Sequence, residues 1–314
     1  MTQSAENPDF KITAAMVKAL REATGAGMMD VKAALTEAQG NTEEATKLLR
    51  KKGLAAASKK AGRVAAEGTV QAYVAGSTGV LVEVNCETDF VGRNDQFRAF
   101  AFDVAKVIAQ SKAGTVEELL NEKWPGSTET VSQKIAEMIA SIKENITVRR
   151  FAKYEAPANA AIGTYIHGGG KIGVMVELEA QSGSKSPRLE EVGRDIAMHI
   201  AAAEPRFLSR NDVTQKDLDT EREIARDVAM KSGKPENIVE KMVTGKMDKF
   251  YGEACLLDQP YIRDDKATVT QYLEKQGKEA GCKYAVTRFV RYKLGEGIEK
   301  KPGDFAAEVA SIMK

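Results

Sequence analysis

Reactive and metal-binding side chains are scarce in this sequence. Its 314 residues include two histidines, His167 and His199, and three cysteines, Cys86, Cys255 and Cys282. The cysteines are odd in number and never form a Cys-x-x-Cys pair, which disfavours a disulfide framework and a zinc knuckle. Two histidines leave little material for a histidine metal site or for a serine–histidine–aspartate triad. Much of hydrolytic and metal-dependent chemistry is therefore disfavoured.

A strong charge of one sign is also missing. Lys and Arg number 46 against 45 Asp and Glu, giving a formal net charge of +1, whereas duplex-DNA binders usually carry a large basic excess. No apolar run approaches the roughly 20 residues of a membrane span, and the polar start MTQSAENPDF is unlike a signal peptide. We expect a cytoplasmic protein that binds neither membrane nor DNA directly.

Phosphate-binding glycine loops are absent as well. Gly168, Gly170 and Gly173 formally match G-x-G-x-x-G, but the β-rich run IGVMVELE follows where a helix is required. No G-x-x-x-x-G-K-[ST] motif occurs. We expect these glycines to form a hairpin turn and predict that the chain itself binds no nucleotide or other cofactor.

Three short amphipathic helices open the chain. Gly25, Gly40 and Gly53 each follow an amphipathic run and suit the left-handed cap conformation. The apolar residues fall on three stripes: Ile12, Met16 and Leu20; Val31, Ala34, Leu35 and Ala38; and Ala45, Leu48 and Leu49. We predict a three-helix module over residues 1–54, suited to presenting a surface, and an alanine- and lysine-rich linker over residues 55–67.

An internal repeat follows the linker. The segments from Gly68 and Gly163 each read as a β-hairpin followed by an amphipathic helix. The aligned positions are Gly79, Val82 and Glu83 with Gly173, Val176 and Glu177, and Arg150, Phe151 and Tyr154 with Arg288, Phe289 and Tyr292. This pattern predicts an α+β fold whose core has two related halves, residues 68–156 and 157–295, each an antiparallel sheet with helices on one face.

The second half carries an insertion over about residues 209–250. Two charged helical segments there are separated by a break at residues 232–235, which predicts a projecting antiparallel helical hairpin. The run DFAAEVASIM predicts a final helix within a C-terminal module over residues 296–314.

Two segments place apolar side chains where solvent is expected. Residues 88–91 (TDFV) follow the last β residues of the first hairpin and precede a helix, which predicts a tight surface loop. Phe90 either packs under its own helix or is exposed as a wedge for a partner's pocket. Met28 and Met29 begin a helix and cannot both point inward, and methionine is common on adaptable binding surfaces.

Six runs resemble the bacterial elongation factor Ts family, and the match extends in order from about residue 12 to residue 313: TGAGMMDVKAAL, CETDFV, DIAMHIAA, SGKPENIVEKMVTGKM, LGEGIEK and DFAAEVA. The resemblance implies a guanine-nucleotide exchange factor, not an enzyme, that binds elongation factor Tu in its GDP-bound and nucleotide-free forms. It also implies a ubiquitin-associated-like N-terminal module, a linker, a two-half core, a helical hairpin and a C-terminal helix.

The resemblance further implies four partner contacts and no catalytic or metal-binding residue. The loop of Thr88, Asp89, Phe90 and Val91 would approach the partner's magnesium and phosphate region. His167 would help to disturb the phosphate-binding loop, and the helix over residues 304–313 would hold the nucleotide domain. The N-terminal module would touch the same domain through Lys18, Arg21, Met28 and Met29. A homodimer through the hairpin or the core is left open.

Two alternatives of other classes remain. One is a thiol-dependent hydrolase built around Cys86 with His167 as its base, although the neighbouring Glu87 and Asp89 would raise the thiol pKa rather than lower it. The other is a ubiquitin-like or nucleic-acid adaptor that uses the N-terminal module and the basic linker. His199 lies among apolar helix positions and is expected to be structural.

Overall fold

A computed structural model of the chain describes residues 11–181, 188–231 and 233–299. The predicted C-terminal helix over residues 304–313 lies outside the described residues. Runs of helices separate antiparallel β-sheets along the described chain, which confirms the predicted α+β class. The chain divides into two compact units, one formed by residues 1–71, 82–151 and 294–314 and the other by residues 72–81 and 152–293.

Three helices at the start of the first unit pack around a small apolar core. They are α1 (Ala14–Thr24), α2 (Met28–Glu37) and α3 (Thr42–Lys60). All three predicted stripes meet in this core, at whose centre lie the buried Leu20, Val31, Ala34, Leu35 and Ala45. Gly25 and Gly40 have φ values of 66° and 79°, so both occupy the predicted left-handed conformation.

The predicted end of the third helix at Gly53 is wrong. Helix α3 continues through Gly53 to Lys60, because the alanines, leucines and lysines of this stretch are strong helix formers. Gly53 instead allows a close approach between two helices, since a Cβ atom there would lie 3.4 Å from the carbonyl oxygen of Ala136.

The next segment contains the first three-stranded sheet and four helices. The elements are β1 (Glu67–Ala75), β2 (Thr78–Cys86), α4 (Asp89–Gly92), α5 (Asp95–Gln110), α6 (Val116–Asn121), α7 (Val131–Ile142) and β3 (Thr147–Glu155). The strand order is β1-β2-β3. Helix α5 is amphipathic and buries Phe97, Phe100 and Val104 along one face.

The second half repeats this plan. Its hairpin is β4 (Ala160–His167) and β5 (Ile172–Ala180), followed by α8 (Arg188–Ala203). Between α8 and the last strand lie α9 (Gln215–Met230), α10 (Glu236–Ala254), the short strands β6 (Pro260–Tyr261) and β7 (Asp264–Thr268), and α11 (Val269–Glu279). The last strand, β8 (Tyr284–Lys293), pairs antiparallel with β5, giving the order β4-β5-β8.

One buried ion pair occurs at the same place in both halves. Glu83 on β2 accepts a hydrogen bond from Arg150 at 2.6 Å, and its counterpart Glu177 on β5 accepts one from Arg288 at 2.7 Å. Both carboxylates are almost fully buried. The sequence repeat therefore reflects a repeated interaction that joins the hairpin to the closing strand of each half.

Helices α9 and α10 form the predicted antiparallel hairpin. Arg226 on α9 lies 3.4 Å from Glu240 on α10, while Arg210, ahead of α9, lies 3.7 Å from Asp248 farther along α10. Pairing of earlier residues with later ones is the pattern of two antiparallel helices. Helix α10 extends to Ala254, four residues past the predicted limit.

Candidate functional site

The loop predicted at residues 88–91 begins a single helical turn directly after a buried strand. Thr88 is the N-cap of α4, and its hydroxyl oxygen accepts a hydrogen bond from the Val91 N–H at 3.4 Å. Gly92, at the end of the turn, lies against the start of β1, where a Cβ atom would come 2.8 Å from the carbonyl oxygen of Gly68. The turn therefore rests on the sheet of its own unit.

Glu144 anchors the base of this loop. One of its carboxylate oxygens accepts the N–H groups of Glu87 and Thr88, each at 3.0 Å, and the other accepts the Thr88 hydroxyl at 2.6 Å. Glu87 reciprocates, since its carboxylate accepts the Asn145 N–H at 2.6 Å. Four hydrogen bonds thus join two segments that are more than fifty residues apart in the sequence.

Phe90 points into solvent from this anchored turn. Its side chain is 84% exposed, so the alternative in which the ring packs under its own helix is wrong. Asp89 beside it pairs with Arg93 at 2.9 Å, one helical turn ahead. A large aromatic ring exposed on a fixed turn is costly in water and is the geometry expected of a binding wedge.

The four residues predicted in the N-terminal module line one surface cleft. Met28 and Met29 are 57% and 74% exposed, which confirms that both cannot point inward. Lys18 and Arg21 on α1 line the same cleft, whose volume is about 870 Å³. Gln96 on α5 also borders it. Flexible methionines next to cations suit a protein surface with both apolar and acidic parts.

His167 belongs to the second unit. It ends β4 and pairs with Ile172 across a turn made of Gly168, Gly169 and Gly170. All three glycines have positive φ values, from 59° to 98°, which confirms the predicted hairpin turn. The imidazole is exposed, and its Nδ1 atom lies 3.1 Å from the hydroxyl of Tyr165. The ring is therefore available to a partner.

Cys86 lacks the properties of a nucleophile. Its side chain is buried, and its Sγ donates a hydrogen bond to the carbonyl oxygen of Thr88 at 3.2 Å. Burial and, next, the nearby Glu144 carboxylate raise the pKa of the Cys86 thiol to about 12, so it remains protonated at neutral pH. The hydrolase alternative therefore lacks the nucleophile that it requires.

His199 is a structural residue, as expected. It is buried, its Nε2 lies 2.9 Å from Oε1 of Gln259, and its Nδ1 accepts the Ile262 N–H at 3.2 Å. Because Nδ1 accepts a hydrogen bond, the N–H of the neutral ring is on Nε2, which donates a hydrogen bond to Gln259. Burial lowers the pKa of His199, which keeps the ring neutral.

The described part of the chain contains no group of three or more His, Cys, Asp or Glu residues arranged to hold a metal ion. Among its helices, none has the length and apolar character needed to cross a membrane.

Sequence reasoning missed Glu144. Nothing in the run SIKENITV marks this glutamate, since four helices separate it from its partners in the sequence. The available signal was indirect: a Thr at a predicted loop start offers backbone and hydroxyl donors that a carboxylate can accept.

Comparison with known proteins relates most of the chain to one family. A family profile described as "Elongation factor TS" matches residues 87–296. The chain is 53% identical over 305 residues to an elongation factor Ts from Syntrophotalea carbinolica, covering 97% of this chain and 100% of that protein. It is 52% identical over 303 residues to one from Clostridium perfringens strain SM101, covering 96% and 99%. A third, from Trichlorobacter lovleyi, is 50% identical over 305 residues, covering 96% and 98%.

Proposed function

Because this chain belongs to the elongation factor Ts family, we propose that it promotes the release of GDP from elongation factor Tu and so prepares the partner to reload GTP. It is a translation elongation factor and not an enzyme. The observation that carries the proposal is Phe90, an exposed aromatic ring on a turn that is hydrogen-bonded in place. We expect it to act in the cytoplasm, where elongation takes place.

The proposed target follows from how a GTPase holds GDP. A lysine-bearing phosphate loop and a Mg²⁺ ion that bridges phosphate oxygens supply much of the affinity. In our proposal Phe90 enters the partner beside the magnesium site and displaces the elements that position the metal's ligands, with Asp89 next to it. The affinity for GDP then falls without any covalent step.

Linkage sets the size of the required effect. A factor that binds the nucleotide-free partner more tightly than the GDP-bound partner must weaken GDP binding by the same ratio. Each tenfold change corresponds to about 1.4 kcal/mol of differential contact. GTP, when it binds, drives the reverse step and releases the factor.

The cleft of the N-terminal module supplies the second proposed contact. Met28, Met29, Lys18 and Arg21 would hold the nucleotide domain of elongation factor Tu, and the exposed His167 would press on the phosphate-binding loop from the second half. What supports these roles is exposure: each of the five side chains is accessible in the free protein. A homodimer through the hairpin or the core stays open and is not part of the proposal.

The test is the release of a fluorescent GDP analogue from elongation factor Tu under excess GDP. We expect the wild-type protein to accelerate release strongly and Phe90→Ala to do so much less. Phe102→Ala is a matched control, because it removes a ring that is 37% exposed on α5 of the same unit. A wild-type protein that leaves the release rate unchanged would overturn the proposed function.

A further inference from the structure

We propose that Glu144 and its neighbour Lys143 are positioning residues for nucleotide exchange: they fix the Phe90 turn and tie it to the N-terminal module. The inference rests on the proposed function and adds two residues to it. Lys143 is exposed and Glu144 is half-buried, and neither residue lines the module cleft. Their effect would pass through the groups they hold.

Glu144 controls the Phe90 turn through the Thr88 hydroxyl. This hydroxyl has one hydrogen, which it donates to Glu144 at 2.6 Å, and it then presents a lone pair to the Val91 N–H at 3.4 Å. The carboxylate therefore orients the N-cap that starts α4. It also fixes the backbone before the cap, because it accepts the Glu87 and Thr88 N–H groups.

Lys143 extends the same connection to the N-terminal module. Its ammonium group lies 3.2 Å from the carboxylate of Asp30, in the first turn of α2 next to Met28 and Met29. Its carbonyl oxygen accepts a hydrogen bond from Lys60, at the end of α3, at 2.7 Å. Two consecutive residues thus contact the Phe90 turn and the helix that carries Met28 and Met29.

The backbone at this point is unusual for a lysine. Lys143 is the C-cap of α7 and has φ 69° and ψ 18°, the left-handed conformation that glycine adopts most readily. A non-glycine residue in this conformation carries a backbone strain energy that other interactions must offset. The ion pair with Asp30 is an interaction that glycine could not make.

A third residue keeps the connection rigid. Asn145 is buried, its N–H donates to Glu87 at 2.6 Å, and its side-chain amide donates to the carbonyl oxygen of Arg63 at 2.8 Å. The segment 143–145 is therefore held to the turn and to the chain after α3 at once.

The test begins with the free protein. Hydrogen exchange at the Glu87 and Thr88 amides should speed up roughly tenfold in Glu144→Ala, because these N–H groups lose their acceptor. Glu144→Gln, which keeps one acceptor oxygen and the same shape, should give a smaller increase. Unchanged exchange at both amides in both variants would overturn the anchor, whatever elongation factor Tu does.

The second measurement is a double-mutant cycle on GDP release. We expect Glu144→Ala to lower the saturating release rate about tenfold and to change the half-saturating concentration less than threefold. Phe90→Ala should then reduce the rate far less in the Glu144→Ala background than in the wild-type protein. Glu144→Gln should restore part of the rate. Independent, multiplying effects of the two substitutions would refute the positioning role.

Lys143→Gly tests the connection to the module. Glycine keeps the left-handed backbone and removes only the side chain that meets Asp30. We expect the half-saturating concentration to rise at least threefold. If it does not rise, Lys143 has no part in the proposal.

Glu117→Ala, at an exposed glutamate on α6, is the matched control and should leave all three measurements unchanged. A wild-type protein without exchange activity refutes the proposed function, and the amide measurement still decides the anchor.

Discussion

Replacing Phe90 with alanine separates the action of the exposed ring from the folding of the chain. An aromatic side chain buries about 150 to 250 Å² when it is enclosed. Because the Phe90 ring is 84% exposed in the free protein, almost all of this area is available to a partner. The stability of the free protein should hardly depend on it.

The size of the functional effect follows from that area. After subtracting what an alanine methyl would still bury, about 100 Å² of apolar contact is lost, or about 2.5 kcal/mol at ~25 cal/mol per Å². If the ring is enclosed only while GDP is leaving, this difference lowers the saturating release rate about 70-fold. Phe90→Leu, which keeps part of the apolar area, should lose less.

The assay combines stopped-flow release of a fluorescent GDP analogue with urea unfolding of each variant. We expect the free energy of unfolding of Phe90→Ala to lie within about 0.5 kcal/mol of the wild-type value. A loss of release rate smaller than threefold would refute the wedge. A loss accompanied by unfolding would show instead that the ring supports the fold.

Three further predictions concern groups behind these surfaces. Glu83→Gln should lower the free energy of unfolding by about 3 kcal/mol at pH 7, because it leaves Arg150 without its buried carboxylate. Burial alone would raise the pKa of Glu83, but its hydrogen bonds and ion pairs outweigh burial and lower the pKa, so this stabilisation is present above the unfolded pKa of about 4.3 and lost as the pH falls through the folded pKa. Urea unfolding should therefore show a smaller difference in stability between the wild type and Glu83→Gln at pH 3 than at pH 7, and an equal difference at both pH values contradicts this prediction. Cys86→Ala should keep the GDP release rate within twofold at a cost of about 1 to 2 kcal/mol of stability, and complete loss of activity would revive the thiol alternative. Arg50→Ala should destabilise the protein by about 2 kcal/mol in the same unfolding assay, since it removes a 2.6 Å ion pair from the buried Glu129, and an unchanged midpoint would refute that estimate.

Features with a local period were predictable from the sequence. The stripes of α1 to α3 follow from the 3.6-residue repeat, and the two halves follow from aligned hairpins, helices and closing strands. The repeat aligned Glu83 with Glu177 and Arg150 with Arg288. In the structure each aligned glutamate forms an ion pair with the arginine of its own half. The predicted domain limits and the roles of the site residues stay predictions.

Features that depend on distant partners were not predictable. The sequence predicts a helix end at Gly53. In the structure Gly53 lies inside the helix and close to Ala136, which is more than eighty residues away in the sequence. The spacing around Phe90 did not decide between a packed and an exposed ring, because a four-residue helix has too few positions to define a buried face. The ring is exposed in the structure, on a turn that Glu144 anchors, and no local pattern identifies that anchor.

Anchoring is the physical requirement that connects Phe90 with Glu144. Fixing the backbone of one residue costs about 1 to 2 kcal/mol. A flexible loop of residues 88–91 would have to order itself on binding, at a cost of several kcal/mol, which exceeds the ~2.5 kcal/mol that the wedge contributes. Because of the hydrogen bonds to Glu144, the turn is already ordered in the free folded protein, so this conformational entropy is not lost on binding. An exchange factor that performs no covalent chemistry has only contact energy with which to distort its partner, so it needs a fixed turn in addition to the exposed ring.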